Sequence, residues 1–376
     1  MTVRVNKDSF NLREKLSELE RPIGLKGSEL MKSETVQEAR DFISAGRRNL
    51  CINGNFKCWQ RATSIASGAS GNGSNAYKYV SADRWQTYYY NTYARQDVVL
   101  PNGEKVYAMR ETMQVTRNFL GYIIEDGGRI WNQGGDITIS FWARTSGPST
   151  GVSLGYYWHD SWAGSAYTHD GPRKNIIIEG SEWKHYSVTK KLNVNANNRA
   201  SLAIEFDNNA YGSWRQLASG EYWEFANVQI EKSSVATDFE QRSLGEELAL
   251  CQRYYQSTNR LQASSIPLGQ YGESAYTGWQ YDSNAGSLRI RLPVEMRVGP
   301  TATVVGSASA SPGADGTIGA YGDNGWMTLS SITATAATPL SIRINTGGMS
   351  GAGKDAFGLY FYGTYLTSTI KLDAEL

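Results

Sequence analysis

The chain has 376 residues, of which 40% are hydrophobic and 19% charged, and its formal net charge is +1. That length suggests about two to three domains and can bury a core without metal or disulfide support. The charge balance excludes a one-signed field that would recruit nucleic acid or an anionic membrane, and three cysteines exclude a disulfide framework.

The first 48 residues open with "MTVRVNKDSFNLREK", which has no apolar core of a signal peptide, and no later apolar run approaches the length of a membrane span. The expectation is synthesis in a reducing cytosol and no membrane insertion. Within this leader, "SETVQEARDFISAG" predicts a helix. Thr35 can cap it with Glu38 as capping-box partner, Gly46 supplies the stop, and Val36, Ala39, Phe42 and Ile43 share one face. A helix of about ten residues with one small apolar stripe is marginal alone in water. The stripe is therefore expected to dock on something larger, in preference to folding back on its own neighbour.

From Asn49 to Arg242 the period becomes two. "DITISFWAR" (136–144) alternates Ile137, Ile139 and Phe141 with Thr138, Ser140 and Trp142. "HYSVTKKLNV" (185–194), "ASLAIEFDN" (200–208) and "YWEFANVQIEK" (222–232) do the same between turn clusters, which predicts an antiparallel sandwich. "RATSIASGASGNGSNA" (61–76) reads as a low-complexity loop too polar to pack. "SLGEELALCQRYYQS" (243–257) predicts a helix capped by Ser243 and Glu246, with Leu244, Leu248, Cys251 and Tyr255 on one side. Strand patterns resume in "SLRIRLPVEMR" (287–297), "TATVVGSAS" (301–309), "PLSIRINTG" (339–347) and "FGLYFYGTYLTSTIKLDAEL" (357–376).

Cys51 and Cys58 lie seven apart in "NLCINGNFKCWQR" (49–61). On one strand they face opposite sides and cannot bridge. Zinc needs four ligands, and the chain has no second Cys pair, while His159, His169 and His185 lie far off in sequence. Packed cysteines are the expectation, and Cys251 reads the same way. No cofactor and no metal site is expected. The loop "YYWHDSWAGSAYTHDGP" (156–172) is the most suggestive for binding. Flat rings flanked by polar groups bind pyranose faces by stacking and hydrogen bonds, against the plainer reading that these aromatics, like those of "DRWQTYYYNTY" (83–93), fill the core or a subunit contact. Nothing reads as a G-x-S-x-G, H-E-x-x-H or P-loop motif, so no enzyme is expected.

Several segments together resemble one family. "NLCINGNFKCWQR" resembles the N-L-x-I-N-G-x-F-x-x-W-Q-R opening of tail-fibre and related virion proteins of tailed bacteriophages. "SADRW" (81–85) and "ANVQIEKSSVATDFEQRSLGEELALCQRYY" (226–255) resemble segments that follow it there. "LPVEMRVGPTATV" (292–304) and "LMKSETVQEARDFISAG" are also similar to parts of such proteins. The resemblance implies an all-β chain: a particle-docking leader (1–48), a carbohydrate-binding-module-like jelly roll (49–242), a helical linker (243–262) and a smaller antiparallel β-domain forming a tip (263–376). It implies that the N-G-x-F strand pairs with the closing strand, with Ile52, Phe56, Val228 and Ile230 facing the core. Related jelly rolls often hold calcium through a Glu where this chain has Lys57, a cation unsuited to a hard-cation site.

The function implied is attachment of a virion to host-surface glycan by a homotrimer that contacts other tail proteins through residues 1–48, with weak sites multiplied by avidity. The chain would be made in the host cytoplasm and act in the virion. Near-neutral net charge favours a neutral or zwitterionic glycan. The candidate contacts are Tyr156, Trp158, His159, Asp160 and Trp162, and at the tip Tyr321, Asn324 and Trp326. A structural virion component such as a head fibre, decoration or tail adaptor is the alternative. A polysaccharide depolymerase is less favoured because no fixed-period repeat of a parallel β-helix is visible.

Overall fold

The computed structural model describes residues 48–65, 77–88, 91–114, 119–159, 168–169, 174–192, 201–207, 216–257, 276–280, 285–309, 316–322, 325–327, 329–349, 356–362 and 369–375. The chain divides into two units, Met1–Arg48 and Asn49–Leu376. All but the last residue of the first unit lies outside the described residues, including the helix expected around Val36, Ala39, Phe42 and Ile43.

In the second unit the period-two segments become strands. The first are β1 (Ser64–Ile65), β2 (Tyr77–Lys78), β3 (Trp85–Tyr88), β4 (Thr92–Val99), β5 (Lys105–Thr112) and β6 (Phe119–Ile124). A short helix, α1 (Gly127–Gln133), leads into β7 (Gly135–Thr145), β8 (Thr150–His159), β9 (Thr168–His169) and β10 (Lys174–Ile178). Then come β11 (Lys184–Leu192), β12 (Ser201–Asp207) and β13 (Tyr222–Glu231). Sheet 1 has the order β1-β4-β5-β13-β7-β11, and sheet 2 has β10-β8-β12-β6-β3-β2 with β9 paired to β8. From β6 to β8, and again from β10 to β13, each connection moves the chain from one sheet to the other. That is a jelly-roll-like sandwich of antiparallel pairs.

The alternation places one phase of each strand inside. Ile137, Ile139, Phe141 and Ala143 of β7, Leu202, Ile204 and Phe206 of β12, and Trp223 and Phe225 of β13 form one buried core. Phe206 bridges the sheets, edge-on to Phe141 at 5.2 Å and 5.2 Å from Phe225. The opposite phase of β7 is covered too: Thr138 Oγ1 donates to Ser233 O at 2.6 Å, so the segment after β13 lies over that end of the sheet.

The structure corrects several expectations at the edges of elements. Residues 61–76 are not loop throughout: Ala62 is buried, and Ser64 and Ile65 pair with Ala94 and Tyr93. Helix α2 spans Leu244–Gln252, capped by Ser243, whose Oγ accepts from Glu246 N–H at 3.2 Å. It stops before the Tyr255 expected on its face, because Tyr255–Ser257 is β14, and Leu244 is exposed rather than inward. Cys251 is buried, as expected.

The distal part contains β15 (Tyr276–Gln280), β16 (Ala285–Arg291), β17 (Thr301–Val305), β18 (Ser307–Ala308) and β19 (Thr317–Gly322). It continues through β20 (Gly325–Met327), β21 (Ser331–Thr338), β22 (Ser341–Gly347), β23 (Ala356–Tyr362) and β24 (Thr369–Asp373). Sheet 3 has the order β14-β24-β17, and sheet 4 has β18-β19-β23-β15-β16-β22-β21 with β20 on β19. Leu288, Ile290, Ile318, Ile342, Leu359 and Leu372 share a second core.

Candidate functional site

The quoted N-terminal motif is not a strand. Residues 49–54 lie against β13 where a bulge between Ala226 and Gln229 interrupts its ladder. Leu50 N–H donates to Ile230 O at 2.7 Å, Val228 N–H donates to Gly54 O at 2.8 Å, and Asn49 Oδ1 accepts from Ile230 N–H at 3.1 Å. The neighbour is the expected one, but the local conformation is not. Asn53 and Phe56 adopt φ of 61° and 51°, which ends any period of two. Phe56, Val228 and Ile230 enter the jelly-roll core, whereas Ile52 packs with Cys58, Leu250, Cys251 and Tyr254.

Asn53 closes the turn with its side chain. Its Oδ1 accepts from Cys58 N–H at 2.9 Å, and its Nδ2 donates to Cys58 O at 2.8 Å and to Asp83 O at 3.0 Å. Its backbone N–H donates to Glu247 of α2, and its carbonyl accepts from Trp85 Nε1 at 3.0 Å. Gly54 is required by space: a Cβ there would stand 2.0 Å from Val228 O. The three cysteines are buried free thiols. The pair in contact is Cys58 and Cys251, not Cys51 and Cys58, and burial followed by the bond to Cys58 pushes the Cys251 thiol up. Lys57 is half-buried. Among the described residues no cluster of His, Cys, Asp and Glu forms a metal site, and no helix is long and apolar enough to cross a membrane.

"SADRW" and the chain's last strand complete the same seam. Arg84, wholly buried, donates to Glu375 at 2.5 Å and to Ile123 O at 2.8 Å, with Tyr254 stacked 3.5 Å from its guanidinium. Arg61 pairs with Glu375 at 3.2 Å, Asp373 at 3.3 Å and Asp83 at 3.5 Å. Gln60 Nε2 donates to Asp83 Oδ2 at 2.9 Å and Tyr255 O at 3.0 Å. Burial pushes the Asp83 carboxyl up to about 6 despite Arg61 and the Gln60 bonds. Arg242 donates to Cys51 O at 3.0 Å, to Asn49 O and to Glu247. The conspicuous motifs thus meet in one buried ionic seam between the jelly roll, α2 and sheet 3. Their buried side chains tie the two β-parts together.

The solvent-facing chemistry lies on the outer face of sheet 1. Cross-strand register puts Arg110 of β5, Glu224 of β13 and Arg144 of β7 in one row, with Trp183 just before β11 beyond them. Arg110 Nε donates to Glu224 Oε1 at 2.7 Å, and Arg144 Nε donates to Oε2 at 2.5 Å. Glu224 is 0% exposed in its side chain, while the two arginines keep 29% and 27%. Arg110 stacks on Tyr222 at 3.9 Å, and Arg144 lies 4.8 Å from the Trp183 ring. The adjacent row carries Ala108, Ala226, Trp142 and His185, where Trp142 meets His185 edge-on at 5.4 Å. Burial lowers the His185 pKa, against Asp238, so the ring is neutral at neutral pH. Ala108, Ala226 and Trp183 belong to one apolar cluster with Trp142 packed on it. The row from Arg110 to Trp183 crosses three strand spacings, ~14 Å, long enough for a short oligosaccharide. Inside the sandwich, Glu111 is a different case. Asn91 (2.8 Å), the Tyr93 hydroxyl (2.8 Å) and Trp223 Nε1 (2.7 Å) surround that buried carboxylate.

Of the candidate contacts read from sequence, Tyr156, Trp158 and His159 lie on β8, opposite Ile204, Leu202 and Ser201 of β12; their side chains are outside the described residues. Asp160, Trp162 and Asn324 are outside them entirely. Tyr321 on β19 is 43% exposed and opposite Gly358, and Trp326 pairs with it on β20, its side chain likewise not described. Arg110, Arg144, Glu224, Tyr222 and Trp183 belong to no motif in the linear sequence, and Trp142 stands out there only through the alternation of 136–144. A signal existed, since Glu224 sits on the outward phase between core Trp223 and Phe225. Its partners, however, are separated by 114 and 80 residues and become visible only with the sheet order.

No family model matches the chain, and no curated protein matches it. Among solved structures, the CBM22-2 xylan-binding domain of Paenibacillus barcinonensis Xyn10C is similar with 13% identity, 45% of this chain and 98% of that one covered, and a TM-score of 0.30. A family 11 carbohydrate-binding module from Clostridium thermocellum is similar with 14% identity, 41% and 91% covered, and a TM-score of 0.27. An exo-beta-agarase shows 11% identity, 47% and 29% covered, and a TM-score of 0.30. By its own strand order and core, the protein is an all-β chain built on a jelly-roll-like sandwich with a second β-part.

Proposed function

We propose that this chain is a glycan-binding appendage protein of a tailed-phage virion, acting without catalysis and as a homotrimer. The observation that carries the glycan reading is the outer face of sheet 1, where half-buried Tyr222 and Trp142 flank a cross-strand Arg110–Glu224–Arg144 triad backed by the buried Trp183. Aromatic faces stack on sugar rings, and oriented guanidinium donors meet hydroxyl or acidic substituents. The virion assignment is supported by the ordered motifs from "NLCINGNFKCWQR" to "LPVEMRVGPTATV". In this reading residues 1–48 join the chain to other tail proteins. The test is a glycan array probed with the full chain and with Trp142→Ala. Binding that falls about tenfold or more in a folded variant supports the assignment, and a folded wild-type chain that binds no glycan sinks it.

A structural virion role is the second reading. It is favoured by the use of "NLCINGNFKCWQR", "SADRW" and the segment around Arg242 and Glu247 in the seam between the two β-parts. Purified chain that fails both to bind host cells and to compete with phage adsorption, while remaining in assembled particles, would select it.

A further inference from the structure

We propose that the outer face of sheet 1 selects saccharides bearing an acidic group, a carboxylate or phosphate, seated on the free edges of Arg110 and Arg144. This rests on the glycan-binding reading and adds the ligand's charge. The two guanidinium ions share a single carboxylate, so the triad carries one uncompensated positive charge at the surface. Arg110 directs Nε and Nη2 to Glu224 Oε1, and Arg144 directs Nε to Oε2. The remaining guanidinium donors have no protein partner among the described residues.

The forks are also preorganised. Each has one face against an aromatic ring, Tyr222 for Arg110 and Trp183 for Arg144, and each is held at one edge by a carboxylate that is itself wholly out of solvent. A planar fork held in this way loses little freedom when it forms charge-assisted bonds to an anion. Glu224 fixes both arginines yet presents no accessible negative surface that would repel that anion. Of the acidic groups beside this face, Glu179 pairs with Lys184, Glu221 accepts from Ala218 N–H, and Asp238 lies toward His185 in the adjacent row. Local charge at this face therefore points away from the neutral or zwitterionic ligand that the whole-chain balance suggests. Trp142, packed over Ala108 and Ala226, supplies the stacking surface beside the anion site.

The experiment uses the full chain on an array of matched pairs: uronate-containing oligosaccharides with their carboxyl-reduced counterparts, and sialylated or phosphorylated oligosaccharides with their unsubstituted counterparts. The expected result is at least about tenfold stronger binding to the acidic member of the pairs that bind. That binding should weaken as salt is raised. Arg144→Gln should abolish the preference, Arg144→Lys should keep it only in part, and Trp142→Ala should weaken both members. Should the variants not fold, the wild-type pair comparison and its salt dependence still decide. Equal or neutral-only binding overturns this inference and leaves glycan recognition standing. No binding to any member by folded protein overturns both.

Discussion

Replacing Glu375 by Ala tests the seam directly. The substitution removes the carboxylate that meets Arg84 at 2.5 Å and Arg61 at 3.2 Å. Arg61 loses little, because Asp373 and Asp83 remain within 3.5 Å. Arg84 has no second carboxylate among the described residues, and its side chain is 0% exposed. Stripping one partner from a buried pair costs about 3–5 kcal/mol. Arg84 retains the Ile123 carbonyl and the Tyr254 ring, which puts the expectation near the lower end, about 3 kcal/mol. Glu375→Gln keeps an oxygen acceptor and should cost roughly half as much. The assay is urea unfolding followed by tryptophan fluorescence, with the first transition taken as the readout because two packed β-parts need not unfold together. With a slope of about 3 kcal/mol per molar urea, the alanine variant should lower the midpoint by about 1 M. The glutamine variant should fall between it and wild type. A shift below about 0.2 M for Glu375→Ala would refute the view that this pair locks the seam.

Asp83→Asn should alter pH dependence. The folded carboxyl sits at about 6 against about 3.9 unfolded, so the native state holds the extra proton between those values. Its favourable contribution is present below about pH 4 and lost as pH rises through about 6, which moves relative stability toward the Asn variant by roughly 2–3 kcal/mol from pH 4 to 7. Parallel urea midpoints for the two proteins across that range would contradict this. Gly54→Ala should cost about 2–4 kcal/mol, since a Cβ 2.0 Å from Val228 O forces the segment off β13 and breaks the Val228–Gly54 bond; chemical denaturation measures it, and an unchanged midpoint would count against the observed close approach. Burial raises the Cys51 and Cys251 thiols, so Ellman's reagent should label these positions only after denaturant is added. Fast labelling of either in the native chain would show the seam to be open.

Much of the fold is legible in the residues, for a local reason. In β7, Ile137, Ile139 and Phe141 announce their face by alternation alone, and Ser243 announces α2 by its cap. The segment 49–60 is not legible in that way. Its ladder is continued by the Asn49 side chain and its turn is closed by the Asn53 side chain, so polar letters do the work that strand propensity would otherwise signal. The candidate face is hidden for a different reason. Arg110, Glu224 and Arg144 are unremarkable surface residues until β13 is placed between β5 and β7. The seam has the same character: Arg61 and Glu375 are separated by 314 residues.

That separation has a consequence for synthesis. A ribosome can release the jelly roll's early strands long before Glu375 exists, yet sheet 1 needs β13 at its centre and Arg84 needs Glu375, just past β24. Until then the buried Arg84 cation lacks its carboxylate, and β14 lacks β24, its partner in sheet 3. The nascent chain must therefore hold this seam unfinished until its distal β-part emerges, and during that interval the β14 edge stays open to chaperones or sister chains until β24 pairs with it.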